Sequence, residues 1–195
     1  MATNKHQWQT PRTAHVQRII DGYAQIAQNH VSEGWTPYLL TFMFNHMPGS
    51  PGMVAEWMER EIERVYATFV SRVVRKPVAP TSIGRLPVWL CSPDYPIKKR
   101  SKSSLRDIVV NDGRHTHAIA LHPPWSRFKE PLGIHFEQHK QLYIRSGYPL
   151  LRIDVAPVIH HLRSVVGYGL KSLYHGRVNH DSTLILPRSY TEMSD

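Results

Sequence analysis

Cysteine is all but missing from this chain. Cys91 stands alone among 195 residues, so no internal disulfide forms and no CxxC pair offers thiolates to zinc. Long apolar runs are missing too: nowhere do roughly 18 apolar residues follow one another, as a membrane-crossing helix requires. The opening MATNKHQWQTPRTAH lacks the apolar stretch of a secretory leader. No GxxxxGK[ST] phosphate loop occurs, so no nucleotide-driven motor is encoded here. Internal repeats and low-complexity tracts are absent as well. Together these absences lead us to expect a cytoplasmic protein with no membrane partner. Acidic residues are also short in number, 15 against 24 Lys and Arg, a formal net charge of +9. A surplus of that size favours a polyanionic partner, and nucleic acid is the commonest one.

What is present fits a folded domain. Apolar residues make up 41% and aromatics 10% of the chain, enough for a real core in one globular unit. The expected organisation is an N-terminal helical arm over residues 1–34, a main domain over 35–180 and a tail over 181–195.

The spacing of Val16, Ile19, Ile20, Tyr23, Ile26 and Ala27 predicts a helix over residues 13–32 that packs on the main domain. The short apolar run from Tyr38 to Phe44 reads as a central strand. Ser50 suits an N-cap and Pro51 the first helical position, and Val54, Trp57, Met58, Ile62, Val65, Phe69 and Val73 then recur at helical steps. Residues 86–91 read as a strand, and 92–104 as a polar loop rich in Lys98, Lys99, Arg100 and Lys102. Asn111-Asp112-Gly113 suits a hairpin turn joining strands over 105–110 and 115–121. Residues 122–148 read as loop with irregular β-structure, 150–155 as a strand and 157–174 as the last helix, stopping near Gly176. This order predicts an α+β fold, a mostly antiparallel sheet with helices packed on it.

Two groups of residues carry chemistry. His115 and His117 stand two apart on a strand and therefore project from one face, where a pair of imidazoles suits a shared metal ion. If the expected hairpin holds, Asp107 faces His117 and adds a carboxylate; a slip of one residue turns it to the other face. Two imidazoles and a carboxylate with open positions suit Mg²⁺ or Mn²⁺ on a phosphate. The second group lies on the last helix. Ile159, Leu162, Val166, Leu170 and Leu173 share one stripe, the expected core, while Tyr168 falls nearly opposite with Lys171, Ser164, His161 and His175 on its side. A tyrosine hydroxyl, with a pKa of about 10, is a poor nucleophile until a cation or metal favours the phenolate, and Lys171 is one turn away.

The order of these pieces resembles the HUH endonuclease superfamily, in particular the single-tyrosine nuclease domains of rolling-circle replication initiators. Leu40-Thr41-Phe42-Met43-Phe44-Asn45 is similar to that family's first motif, His115-Thr116-His117 to its metal-binding motif, and Tyr168-Gly169-Leu170-Lys171 to its Tyr-x-x-Lys motif. Thr116 departs from the bulky apolar residue usual between the histidines. The resemblance covers residues 36–175 and implies a palm-like fold and the nicking and joining of single-stranded DNA through a 5′-phosphotyrosine. It implies roles for His115, His117 and Asp107 on a divalent metal, for Tyr168 as nucleophile and for Lys171 in charge stabilisation. Lys98, Lys99, Arg100, Lys102, Trp125 and Arg127 would contact an unpaired strand. The expected partner is single-stranded or melted origin or hairpin DNA, with any helicase a separate protein. A non-cleaving nucleic-acid module of the same fold, a single-strand transposase and a water-using phosphoesterase are the competing expectations.

Overall fold

The computed structural model describes residues 11–94 and 114–188. Lys98, Lys99, Arg100, Lys102 and Asp107 lie outside the described residues. Five strands form one antiparallel sheet: β1 (Thr36–Phe44), β2 (Val88–Asp94), β3 (His115–His122), β4 (Leu150–Pro157) and β5 (Leu184–Leu186), in the order β4-β1-β3-β2-β5. Helices α1 (Pro11–Ser32), α2 (Pro51–Val73), α3 (Leu132–Gln138), α4 (Lys140–Tyr143), α5 (Leu162–Gly169) and α6 (Lys171–Tyr174) cover its two faces. The expected α+β class is therefore observed.

Strand alternation sorts the side chains into two cores. Leu40, Phe42 and Phe44 of β1, Trp89 and Cys91 of β2, and Ala118 and Ala120 of β3 point to one face, where α2 lays down Val54, Met58, Ile62, Val65, Phe69 and Val73. Phe69 is fully buried and meets the rings of Trp89, Phe128 and Phe136; burying a side chain of that size contributes about 1.5–3 kcal/mol. On the other face Leu90, Ile119 and Leu121 receive Ile20, Ala24 and Ala27 from α1 and Val166, Leu170 and Leu173 from α5 and α6. The N-terminal helix thus packs on the main domain, as its spacing predicts. Ser50 caps α2, its side chain accepting from the Met53 backbone N–H, and Pro51 opens the helix.

Several expectations are corrected. β2 runs on through Ser92 to Asp94, residues assigned to the loop. β3 has β1 on one edge and β2 on the other from His115 to Leu121; the strand expected over 105–110 and the turn expected at 111–113 lie outside the described residues. Residues 132–143, read as irregular, are helical. β4 continues to Pro157, and the last helix begins only at Leu162, leaving Ile159, expected in the core, 76% exposed. That helix also breaks at Leu170, so Tyr168 lies in the last turn of α5, which Gly169 closes, and Lys171 opens α6. The expected tail contributes β5, which pairs with β2, and Arg188 ties it to α2 through Glu59 and Glu63.

Among the described residues, no helix is long and apolar enough to cross a membrane.

Candidate metal and nucleophile site

The sheet register assembles the site in two adjacent rows. Across one row Met43 of β1, His115 of β3 and Asp94 of β2 stand side by side; across the next stand Thr41, His117 and Ser92. All project toward the α5 face. Asp94 and His115 are directly opposed, and His117 is the next residue of β3 on that face, so three ligand-type side chains converge without any special loop. The His115 Nε2 and His117 Nε2 atoms are 3.2 Å apart. Asp94 Oδ2 lies 3.0 Å from the first and 3.5 Å from the second.

Those spacings suit one cation. Two donors bound at about 2.1 Å stand roughly 3.0 Å apart at a right angle and roughly 3.4 Å apart at a tetrahedral one. Thr41 Oγ1 and His117 Nδ1 are hydrogen bonded at 3.1 Å; with Nδ1–H donating, the Nε2 lone pair faces Asp94 and His115. Such an outer partner fixes the tautomer and aim of a ligating imidazole. Asp94, His115 and His117 therefore form a group able to hold a metal ion.

Asp94 is the hub. It is 2% exposed, and burial alone would raise its carboxyl. Hydrogen bonds from His115, His117, Lys171 and Ser172 outweigh burial and hold it well below the ordinary carboxylate range. Lys171 Nζ approaches Oδ2 at 2.7 Å, and the buried Ser172 hydroxyl donates to Oδ1 at 2.7 Å. Burial pushes the His117 pKa down, assisted by its neighbours His115 and Lys171 and opposed by Asp94. A neutral imidazole is the form that ligates a metal.

Tyr168 reaches the same place from α5. Its ring centroid lies 5.1 Å from that of His117, and Lys171 Nζ sits 4.2 Å from the tyrosine ring centre. Half of Tyr168 stays exposed, so an incoming ligand can reach it. Gly169 allows the approach: a Cβ there would stand 3.3 Å from Ile119 Cδ1 and 3.9 Å from His117 Cβ. Val166 and Leu170, fully buried, hold the opposite side of the helix to the sheet. The face assignment made from the helical stripe thus brings Tyr168, Lys171, His115 and His117 together.

Other expected residues fall elsewhere. Trp125 and Arg127 follow His122, the end of β3 farthest from His115. The Trp125 indole N–H donates to the Arg85 carbonyl at 2.9 Å, and its ring meets Trp35 edge-on at 5.2 Å; the Arg127 backbone N–H is bound by the Val73 carbonyl. Neither belongs to the cluster around Asp94. Sequence reasoning missed Asp94 itself, together with Ser172 and Thr41. The available signal for Asp94 was the alternation of Leu90, Ser92 and Asp94 on one face of a strand that runs three residues past the end of its apolar run.

Family models, curated proteins and solved structures were all compared with the chain, and none matches it.

Proposed function

We propose that this protein cuts and rejoins single-stranded DNA through a covalent link to Tyr168, in the manner of the HUH endonucleases it resembles. The convergence of the Tyr168 ring and the Lys171 ammonium on the Asp94–His115–His117 group carries this reading. A divalent ion such as Mg²⁺ or Mn²⁺ held by those three side chains would act as a Lewis acid on the scissile phosphate.

The chain's own residues supply the rest. Tyr168 Oη attacks phosphorus, the P–Oη bond forms as the P–O3′ bond breaks, and the phenolic proton passes to solvent. The departing 3′-oxygen takes up a proton and leaves as a hydroxyl, with the 5′-phosphate on the tyrosine. Lys171, between the phenol ring and Asp94, stabilises negative charge on the phenolate and the attacked phosphate. Thr41 and Ser172 hold His117 and Asp94 in place. Because the phosphodiester becomes a phosphotyrosine ester, the 3′-hydroxyl can reverse the step and seal the strand. The net charge of +9 supports a nucleic-acid partner, and the antiparallel sheet with paired histidines on a central strand supports the palm-like arrangement.

The test uses one oligonucleotide labelled at its 5′ end or at its 3′ end, incubated with protein and Mn²⁺. The 3′ label should migrate with the protein and the 5′ label should remain on a free fragment ending in a 3′-hydroxyl. Two free fragments would mean that water is the nucleophile and the site is a phosphoesterase; binding without cleavage would mean a non-cutting module.

A further inference from the structure

A second set of ligand-type side chains has gathered on the other face of the sheet. His122 ends β3 about 23 Å from His115 at ~3.3 Å per residue, and its side chain points to the α2 face. Its ring packs on Phe128 with centroids 4.9 Å apart, and Phe128 stacks on His135 at 3.9 Å and 12°. His135 and His139 are four residues apart at the end of α3, and the His139 backbone N–H donates to the His135 carbonyl at 3.0 Å. A helical turn of that kind puts both imidazoles on one side. Glu130 Oε1 lies 2.9 Å from His135 Nδ1, and one ligand atom from each of Glu130, His135 and His139 lies within 4.8 Å of the others.

His135 is 1% exposed, and its Nε2 is hydrogen bonded at 2.8 Å to the hydroxyl of Tyr143, which is fully buried. The ring cannot turn without breaking that bond and the stack on Phe128, so Nδ1 stays aimed at Glu130. An imidazole anchored through one nitrogen and offering the other to a carboxylate and a second imidazole has the outer-partner arrangement of a metal centre. An ion pair alone would account for Glu130 and His135 but gives no part to His139. Glu130 and His139 are half-buried, so the group has a route from solvent. A cation shared by all three would draw the wider separations in to the roughly 3.0–3.4 Å of donors on one ion.

We propose that Glu130, His135 and His139 form a second metal site, selective for a borderline divalent cation such as Zn²⁺ and built to fasten the segment before α3 to the last turn of that helix. Two imidazoles and one carboxylate are a ligand set zinc favours, with a fourth position left to water. The site stands apart from the Asp94 group and from the function proposed for it.

The test is cobalt titration of the full chain carrying His115→Ala, which breaks the other group, after treatment with a chelator. We expect one Co²⁺ to bind, with visible absorption bands of a four-coordinate site and a rise in Tm. Adding Glu130→Gln or His139→Ala should weaken that binding at least tenfold with far-UV dichroism unchanged. His139→Cys should restore it with a new thiolate-to-cobalt charge-transfer band, which only a direct ligand produces. Absence of binding in the His115→Ala protein, or binding unaffected by both Glu130→Gln and His139→Ala, would overturn the proposal.

Discussion

The Lys171 ammonium sits 2.7 Å from Asp94 Oδ2, so one side chain of α6 grips a carboxylate of β2 beside the tyrosine of α5. Replacing Lys171 by Met keeps the aliphatic stem and removes the charge. Formation of the covalent DNA adduct should fall about 10²–10³-fold, the cost of removing one transition-state charge donor, while oligonucleotide affinity changes little. Asp94→Asn should instead lower metal affinity, measured by calorimetry. It should also cost about 1–3 kcal/mol of stability, because the buried Ser172 hydroxyl and the Lys171 ammonium lose a charged acceptor.

Thr41 touches no ligand atom of the site directly, yet its hydroxyl meets His117 Nδ1. Thr41→Val preserves shape and β-propensity but deletes that partner. Metal affinity should drop about 10–100-fold with Tm nearly unchanged. Equal metal affinity in the two proteins would show that His117 is oriented by packing alone.

Gly169 tests how closely α5 must lie on β3. Gly169→Ala adds a Cβ 3.3 Å from the tip of Ile119, a flexible contact that can shift, and gains up to about 1 kcal/mol of helix propensity. Its stability should stay within about 1 kcal/mol of the parent. Gly169→Leu cannot be absorbed in the same way and should lift Tyr168 from His117. Adduct formation should then fall far more than Tm does when the two are measured side by side.

His122 predicts an acid limit. Burial, helped by the neighbouring His135 and Lys129, pushes its pKa down to about 4, below the roughly 6.5 of an unfolded chain. The folded state therefore favours the neutral ring. Its contribution is complete above about pH 6.5, erodes as the unfolded chain takes up protons, and levels off below about pH 4, for a loss on the order of 3 kcal/mol at most. His117, also pushed down, adds in the same direction. His122→Phe should flatten denaturant midpoints between about pH 6.5 and 4; an unchanged pH profile would remove His122 as the cause.

What could be read from the sequence was what short-range periodicity encodes. Two-residue alternation placed His115 and His117 on one face, three- and four-residue steps set Tyr168 against the core stripe, and Ser50-Pro51 marked the start of α2. Asp94 was hidden because its partner His115 lies 21 positions further on, and strand pairing over that distance leaves no local mark. A plausible turn at Asn111-Asp112-Gly113 pointed instead to a neighbour of β3, whose edges β1 and β2 already occupy. β5 is only three residues long, too short to alternate visibly. Helices α3 and α4 follow Pro131 in a stretch crowded with polar and aromatic residues, and packing on β4 and α2 favours them more than any stripe of their own.

The most direct measurement is peptide mapping of protein incubated with single-stranded oligonucleotides and Mn²⁺, alongside the Tyr168→Phe variant. A nucleotide mass on the peptide containing Tyr168, lost in Tyr168→Phe while oligonucleotide binding persists, is the expected result. A covalent adduct that survives Tyr168→Phe, or one mapped to Tyr174, would contradict Tyr168 as the nucleophile.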